Sequence, residues 1–382
     1  MRVIVLLCAS GFASTFAVGA FPALLPEIGR AAALADWELG AVAGAFGFAR
    51  MCADLPVGLF ITHHLRRALL VSPLLLSAGV LMLATAGSLP GLVAARAVMG
   101  VAHALGTVAA LTAILRFQDA GRLASALSAF ELSAMLGILG GTLVLGFVPE
   151  SVPWNAALLV TCSPQLLGIA VVPLVLRALP PDAPPPAGRP LFARRPPDAG
   201  PPAPVTGAGA LAVVAGGAVA IAYSTLEQFV IPLRASREFD LPRAGVARLL
   251  VTVQAFDIVC LLPAGALADR HGTRRVLGTM LVIFGAGAAL VAFGDFALLV
   301  TGCALFGIGM AAWTLPLSVL RRETPAGQVA WRTALYRVGV DGGIFLGPFL
   351  SGLLIGRAPG ALPGALAAVL VLVGVLLARR RA

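Results

Sequence analysis

The chain has 382 residues, of which 59% are hydrophobic and only 12% charged, with a formal net charge of +10. A water-soluble protein of this length needs far more charge to cover its surface, so these numbers exclude a soluble fold and imply insertion into a bilayer. The positive balance would point to nucleic acid in a soluble chain; here it is carried by arginine alone, in short loops between apolar runs, and no nucleic-acid partner is expected.

A bilayer core about 30 Å thick is crossed by roughly 18–20 apolar helical residues. The first such run, 3–26, could pass for a secretory leader, but it lacks a polar cleavage region and many similar runs follow, so it reads as span one. Spans 37–61, 68–88, 91–115, 123–148 and 153–177 come next. Pro180 to Pro204 is dense in proline, carries Arg189, Arg194 and Arg195, and has no apolar face to bury. It is predicted to be an extended or disordered linker. Spans 207–233, 242–268, 275–294, 296–320, 329–356 and 360–378 complete a set of twelve.

An even number of spans puts both termini on one side. Seventeen arginines lie on that side, against only Arg30, Arg234, Arg237, Arg243 and Arg357 in the opposite loops. The positive-inside asymmetry makes the arginine-rich side cytoplasmic. The richness in Ala, Gly, Arg and Pro, with no lysine, points to a GC-rich bacterial genome and so to a bacterial inner membrane. The five cysteines (Cys8, Cys52, Cys162, Cys260 and Cys303) all fall inside spans without metal-ligand spacing, as small apolar residues do. No metal or cofactor is expected.

The expected organisation is a bundle of six helices at 1–178, a linker at 179–206, and a second bundle at 207–382. A shift of 207 residues superposes Pro56 on Pro263, Gly58 on Gly265, His64 on His271, Arg67 on Arg274, Leu70 on Leu277 and Gly100 on Gly307. Parallel repeats of this kind place a transport site between the halves.

Span eight runs into Gly265-Ala-Leu-Ala-Asp269-Arg270-His-Gly272-Thr-Arg274-Arg275. A glycine permits close helix packing, an aspartate at a helix end can engage a neighbouring helix dipole, and the arginines anchor the cytoplasmic face. The first-half copy is degenerate, with Thr62 in place of Asp269 and Leu65 in place of Gly272. Span four reads Arg96-Ala-Val-Met-Gly100, and span eleven Gly343-Ile-Phe-Leu-Gly347-Pro348. Together these motifs resemble the Major Facilitator Superfamily. The resemblance implies an all-α fold of two pseudo-symmetric six-helix bundles, alternating access, and association of Arg96 with proton coupling. It leans toward drug or metabolite exporters, although span five keeps only Gly137-x-x-Gly140-Gly141 of the antiporter signature.

Nine charged residues lie five or more residues inside the spans: Arg50, Asp54, Arg96, Glu131, Glu227, Arg248, Asp257, Arg337 and Asp341. At roughly 3 kcal/mol for a charge at mid-membrane, most must face protein or water. Spans three, six, nine and twelve carry none, as the resemblance implies for outer helices.

Counting from the cytoplasmic face at 1.5 Å per residue, Asp54 and Arg337 lie roughly 10–12 Å deep, and Arg50 and Asp341 about 16–18 Å. Antiparallel packing of spans two and eleven would give two ion pairs, Asp54–Arg337 and Arg50–Asp341, forming a cytoplasmic gate. Local i,i+4 pairs within each span, or direct substrate contact, are the alternatives.

Glu131, Glu227 and Asp257 are the candidates for proton coupling, with Arg96 as a coupling partner. A carboxylate in a water-poor cavity can exchange its proton as the cavity opens to either side. His103, Trp313 and Thr314 are candidates for the cavity lining.

The function expected is proton-coupled efflux of a small organic molecule by a monomer in the lipid bilayer. Symport or facilitated uptake of a sugar or organic acid is the alternative. A polytopic enzyme is remote, because no HExxH or GxSxG motif is present, and a chain without lysine cannot form a Walker P-loop.

Overall fold

Backbone amides and carbonyls have no water to bond in a bilayer, so a chain this apolar closes its hydrogen bonds within helices. The computed structural model describes residues 2–118, 122–180, 206–325 and 329–379, and among them the regular structure is helical. Most of the expected linker lies outside the described residues.

Ten helices are long and apolar enough to cross a membrane. One of them, Asp36–Thr85, contains two spans that meet at His64, where φ is −133° and ψ is 39°. Val329–Leu354 carries Arg337 and Asp341 and brings the crossings among the described residues to twelve. Large apolar side chains face outward on spans three, six and twelve, among them Leu74, Leu81, Leu166, Leu167 and Leu372. A soluble protein does not tolerate so much exposed apolar surface, and a bilayer covers it.

The turn between spans two and three differs from its repeat between spans eight and nine. In the second half Gly272 adopts φ +90°, ends Arg243–His271 and starts Thr273–Phe293. A side chain in that conformation is strained, and only glycine adopts it freely. The residue 207 positions earlier is Leu65, so the first half cannot turn the same way. Its chain continues helically and bends at His64 instead.

Repeat symmetry extends to the packing. A Cβ on Gly100 would collide with the Phe46 carbonyl, and one on Gly307 with the Val253 carbonyl; each position is matched 207 residues on. The contact of span one with span five likewise repeats in spans seven and eleven. Thr15 Oγ1 donates to the Ala134 carbonyl at 2.9 Å, and Ser224 Oγ donates to the Gly343 carbonyl at 2.9 Å. Here the register is 209 rather than 207, so the copies are not related by one shift throughout.

The halves meet along two seams, span two on span eleven and span five on span eight. On the first, Gly40 faces the Pro348 carbonyl and Gly44 the Phe345 carbonyl, at 2.6 and 2.9 Å from where a Cβ would stand. On the second, Gly146 meets Ala247.

The face opposite the arginine-rich one is tied shut. Arg243 donates to Glu27 at 2.7 and 2.5 Å and to the Val152 carbonyl at 2.9 Å, while its backbone N–H donates to Glu150 at 2.8 Å. Arg237 pairs with Asp36 at 2.7 Å. Toward the arginine-rich face the halves separate, and added Cβ atoms at Gly58, Gly265 and Gly339 would meet nothing within 4 Å.

Candidate substrate cavity and gates

Between the halves lies a cavity of about 390 Å³. Its wall runs from mid-span (Val18, Ala43, Ile138, Ile344) to positions near the arginine-rich ends of the helices (Leu111, Leu317, Thr333). It therefore opens toward that face. Glu131, Glu227, Asp257, Arg96, His103, Trp313 and Thr314 all line it, as do Arg50, Arg337 and Asp341; Asp54 does not.

The span-four motif has a physical basis in this wall. Gly100 lets span four settle on the Phe46 carbonyl. That approach carries the Arg96 guanidinium over the Phe46 ring, 4.9 Å from its centre, and over the Phe21 ring at 3.6 Å. Cation–π attraction offsets part of the cost of burying the charge. Arg96 is only 2% exposed, and its Nε and Nη1 have no hydrogen-bond partner.

On the opposite wall, a π-helical turn at Leu226–Val230 interrupts span seven. Such turns recur at functional sites because they redirect side chains from the α-helical register. Glu227, on this turn, accepts a hydrogen bond from Gln254 Nε2 at 3.0 Å. Asp257 stands one turn along span eight from Gln254, within electrostatic reach of Glu227 and Glu131. Tyr223 packs edge-on to Trp313 at 5.8 Å and accepts a hydrogen bond from Gln228 at 3.3 Å. His103 Nε2 lies 3.5 Å from the Thr107 hydroxyl.

Of the two expected ion pairs, one is closed in this state. Arg50 stands 3.1 Å from Asp341 across the seam. Asp54 and Arg337 form no ion pair within 4 Å; the Asp54 carboxyl lies against Asp341 instead. The local pairs Arg50/Asp54 and Arg337/Asp341 are not formed either among the described residues.

The sequence pattern of the Major Facilitator Superfamily matches residues 5–245 and 208–382, so it covers both halves. The chain belongs to the Major Facilitator Superfamily. It is accordingly a secondary transporter. Among curated proteins, none matches the chain significantly.

Solved superfamily-like structures share the whole fold. A POT family transporter in complex with 5-aminolevulinic acid is 12% identical, with a TM-score of 0.80 over 98% of this chain and 95% of that one. The D-xylose-proton symporter is 11% identical, with a TM-score of 0.74 over 99% and 97%. The nucleoside transporter NupG is 15% identical, with a TM-score of 0.71 over 99% and 98%. At these identities the likeness carries the fold alone.

Within the superfamily's loop signature, the residues behave differently from the expectation. Gly265 packs against no neighbouring helix, and Asp269 and Arg270 are exposed without an ion pair among the described residues. The open arginine-rich face has withdrawn the surface they would meet. Arg274 pairs with Glu323, whose other oxygen accepts a hydrogen bond from Thr206 at 2.8 Å.

Sequence reasoning missed Tyr223, Gln254 and Tyr336 in the cavity and Arg243 at the closed face. Uncharged polar residues inside a span give no energetic signal as strong as a charge does. Arg243, close to a loop, read as an ordinary loop arginine.

Proposed function

We propose that this protein is a proton-coupled exporter of a small organic molecule in a bacterial inner membrane, with both termini and the arginine-rich face in the cytoplasm. The observation that carries this reading is the trio Glu131, Glu227 and Asp257 on one cavity that opens at the arginine-rich face and is latched at the other. In that arrangement substrate enters from the cytoplasm, the two bundles (1–178 and 207–382) rock about their seams, and protons entering from the far side discharge it. One protomer holds the complete cavity.

A carboxylate that binds either a proton or substrate couples the two flows without further machinery. Asp257 is the leading candidate, Glu227 and Glu131 its neighbours, and Arg96 the fixed charge against which they work. Everted vesicles with an imposed pH gradient test the direction: proton-driven uptake into the vesicles is expected, and Asp257→Asn should abolish the drive. Transport that follows the proton gradient in the same direction would instead establish symport.

A further inference from the structure

The polar atoms left unpaired on the cavity wall are sorted by half. The first half contributes the guanidinium donors Arg96 Nε and Nη1 and Arg50 Nε, with the uncharged His103 Nδ1; the second contributes acceptors, Gln254 Oε1, Asp257 Oδ1 and Asp341 Oδ1. Arg50 and Asp341 face each other at 3.1 Å and answer one another's charge. Glu131 lies within electrostatic reach of Arg337 and Arg50, with no ion pair to either. What remains is a guanidinium on one side and an acidic, acceptor-rich wall on the other.

Both sides are built rather than incidental. Arg96 is 2% exposed and held between two aromatic rings. Gln254 is 6% exposed and its orientation is set by the hydrogen bond from its amide to Glu227, which leaves its carbonyl oxygen unpaired. Asp257 forms no ion pair among the described residues, and its Oδ1 has no hydrogen-bond partner. A buried polar atom without a partner costs about 1–3 kcal/mol, and each of these belongs to a residue that lines the cavity. Tyr223 packs edge-on to Trp313 on the second-half wall.

Resting on the transport reading above, we infer that the transported molecule is a zwitterion, its cationic nitrogen held by Asp257, Glu227 and Gln254 and its anionic group by Arg96. A cation alone leaves Arg96 unanswered, and an anion alone leaves the acidic wall unanswered. Only a dipolar ligand satisfies both halves at once.

The test uses the purified full-length protein and three zwitterions, phenylalanine, alanyl-phenylalanine and 6-aminohexanoate. Each is compared with its methyl ester (a cation), its N-acetyl form (an anion) and its doubly blocked neutral form. Thermal shift reads binding, and counterflow in proteoliposomes reads transport. At least one parent zwitterion should bind, and each single block should weaken it at least tenfold. In Asp257→Asn the N-acetyl form and the parent should bind alike. In Arg96→Gln the ester and the parent should bind alike; if that variant misfolds, Gln254→Leu, which removes one acceptor, should lower affinity for the parent more than for its N-acetyl form. Binding and counterflow confined to the cations, the anions or the neutral forms would overturn the zwitterion assignment and leave the transporter reading standing. Absence of binding and counterflow in all four classes would overturn both.

Discussion

Arg50 and Asp341 face each other at 3.1 Å across the seam between the halves, the aspartate almost wholly buried. One turn nearer the arginine-rich face, Asp54 and Arg337 stand apart. We propose that the deeper pair stays closed while the arginine-rich face is open, and that the shallower pair acts as a latch that closes when the halves rock inward. Removing one partner of a buried ion pair costs about 3–5 kcal/mol, because the other charge is left uncompensated.

Reversing either deep charge should therefore cut transport severely, and the double swap Arg50→Asp/Asp341→Arg should restore part of it. Initial transport rates in the two single variants and the double decide the point. A double variant no better than the singles removes the pair from the mechanism. For the shallower pair, cysteines at 54 and 337 should cross-link only under conditions that close the arginine-rich face.

Arg243 joins Glu27, Glu150 and the Val152 carbonyl, all on the other half, so it stabilises the state closed on the far side. Losing one partner of such a charge pair costs about 2–5 kcal/mol, enough to move a two-state equilibrium by more than tenfold. Glu27→Gln should raise the labelling of cavity cysteines by an impermeant thiol reagent added from the far side. Unchanged labelling would mean that the glycine seams, rather than the ion pair, hold that face.

Bulk at Gly100 should be poorly tolerated. A Cβ there meets the Phe46 carbonyl, whose own residue supports Arg96. Overpacking of a close helix contact costs about 1–3 kcal/mol. Gly100→Ala should lower the melting temperature and also weaken substrate affinity through Arg96, whereas Gly58→Ala, which meets open space in this state, should leave the melting temperature unchanged. Equal effects of the two would contradict the packing argument.

Outside the spans, the Thr206 hydroxyl and Arg274 hold the Glu323 carboxyl below its ordinary value, against a smaller opposing effect of burial. A carboxyl lowered in the folded state contributes stability above its unfolded value, about 4.3, and loses it as the pH falls through the lower folded value. Glu323→Gln should therefore reduce the melting temperature slightly at pH 7, by no more than about 1 kcal/mol of stability. The difference from the parent should shrink as the pH drops below that range. A difference that grew in acid would contradict the assignment.

The sequence by itself determined the twelve spans, because the length and apolarity of a run are local properties that a bilayer reads directly. It also determined which helices face the cavity, since a charge on a span is too costly to leave in lipid; Arg96, Glu131, Glu227 and Asp257 were all found on that wall. The motif around Gly272 was legible as a family pattern, and the structure supplies its reason, a backbone conformation that demands glycine.

Only the tertiary structure decided which charges meet. Arg243 and Glu27 are 216 residues apart, and nothing local to either names the other. The separation of Asp54 from Arg337, beside the closed contact of Arg50 with Asp341, depends on how far the halves have rocked, which is a property of the packed state rather than of any helix. The sorting of donors to one half and acceptors to the other follows from where unpaired atoms end up once every other bond has formed.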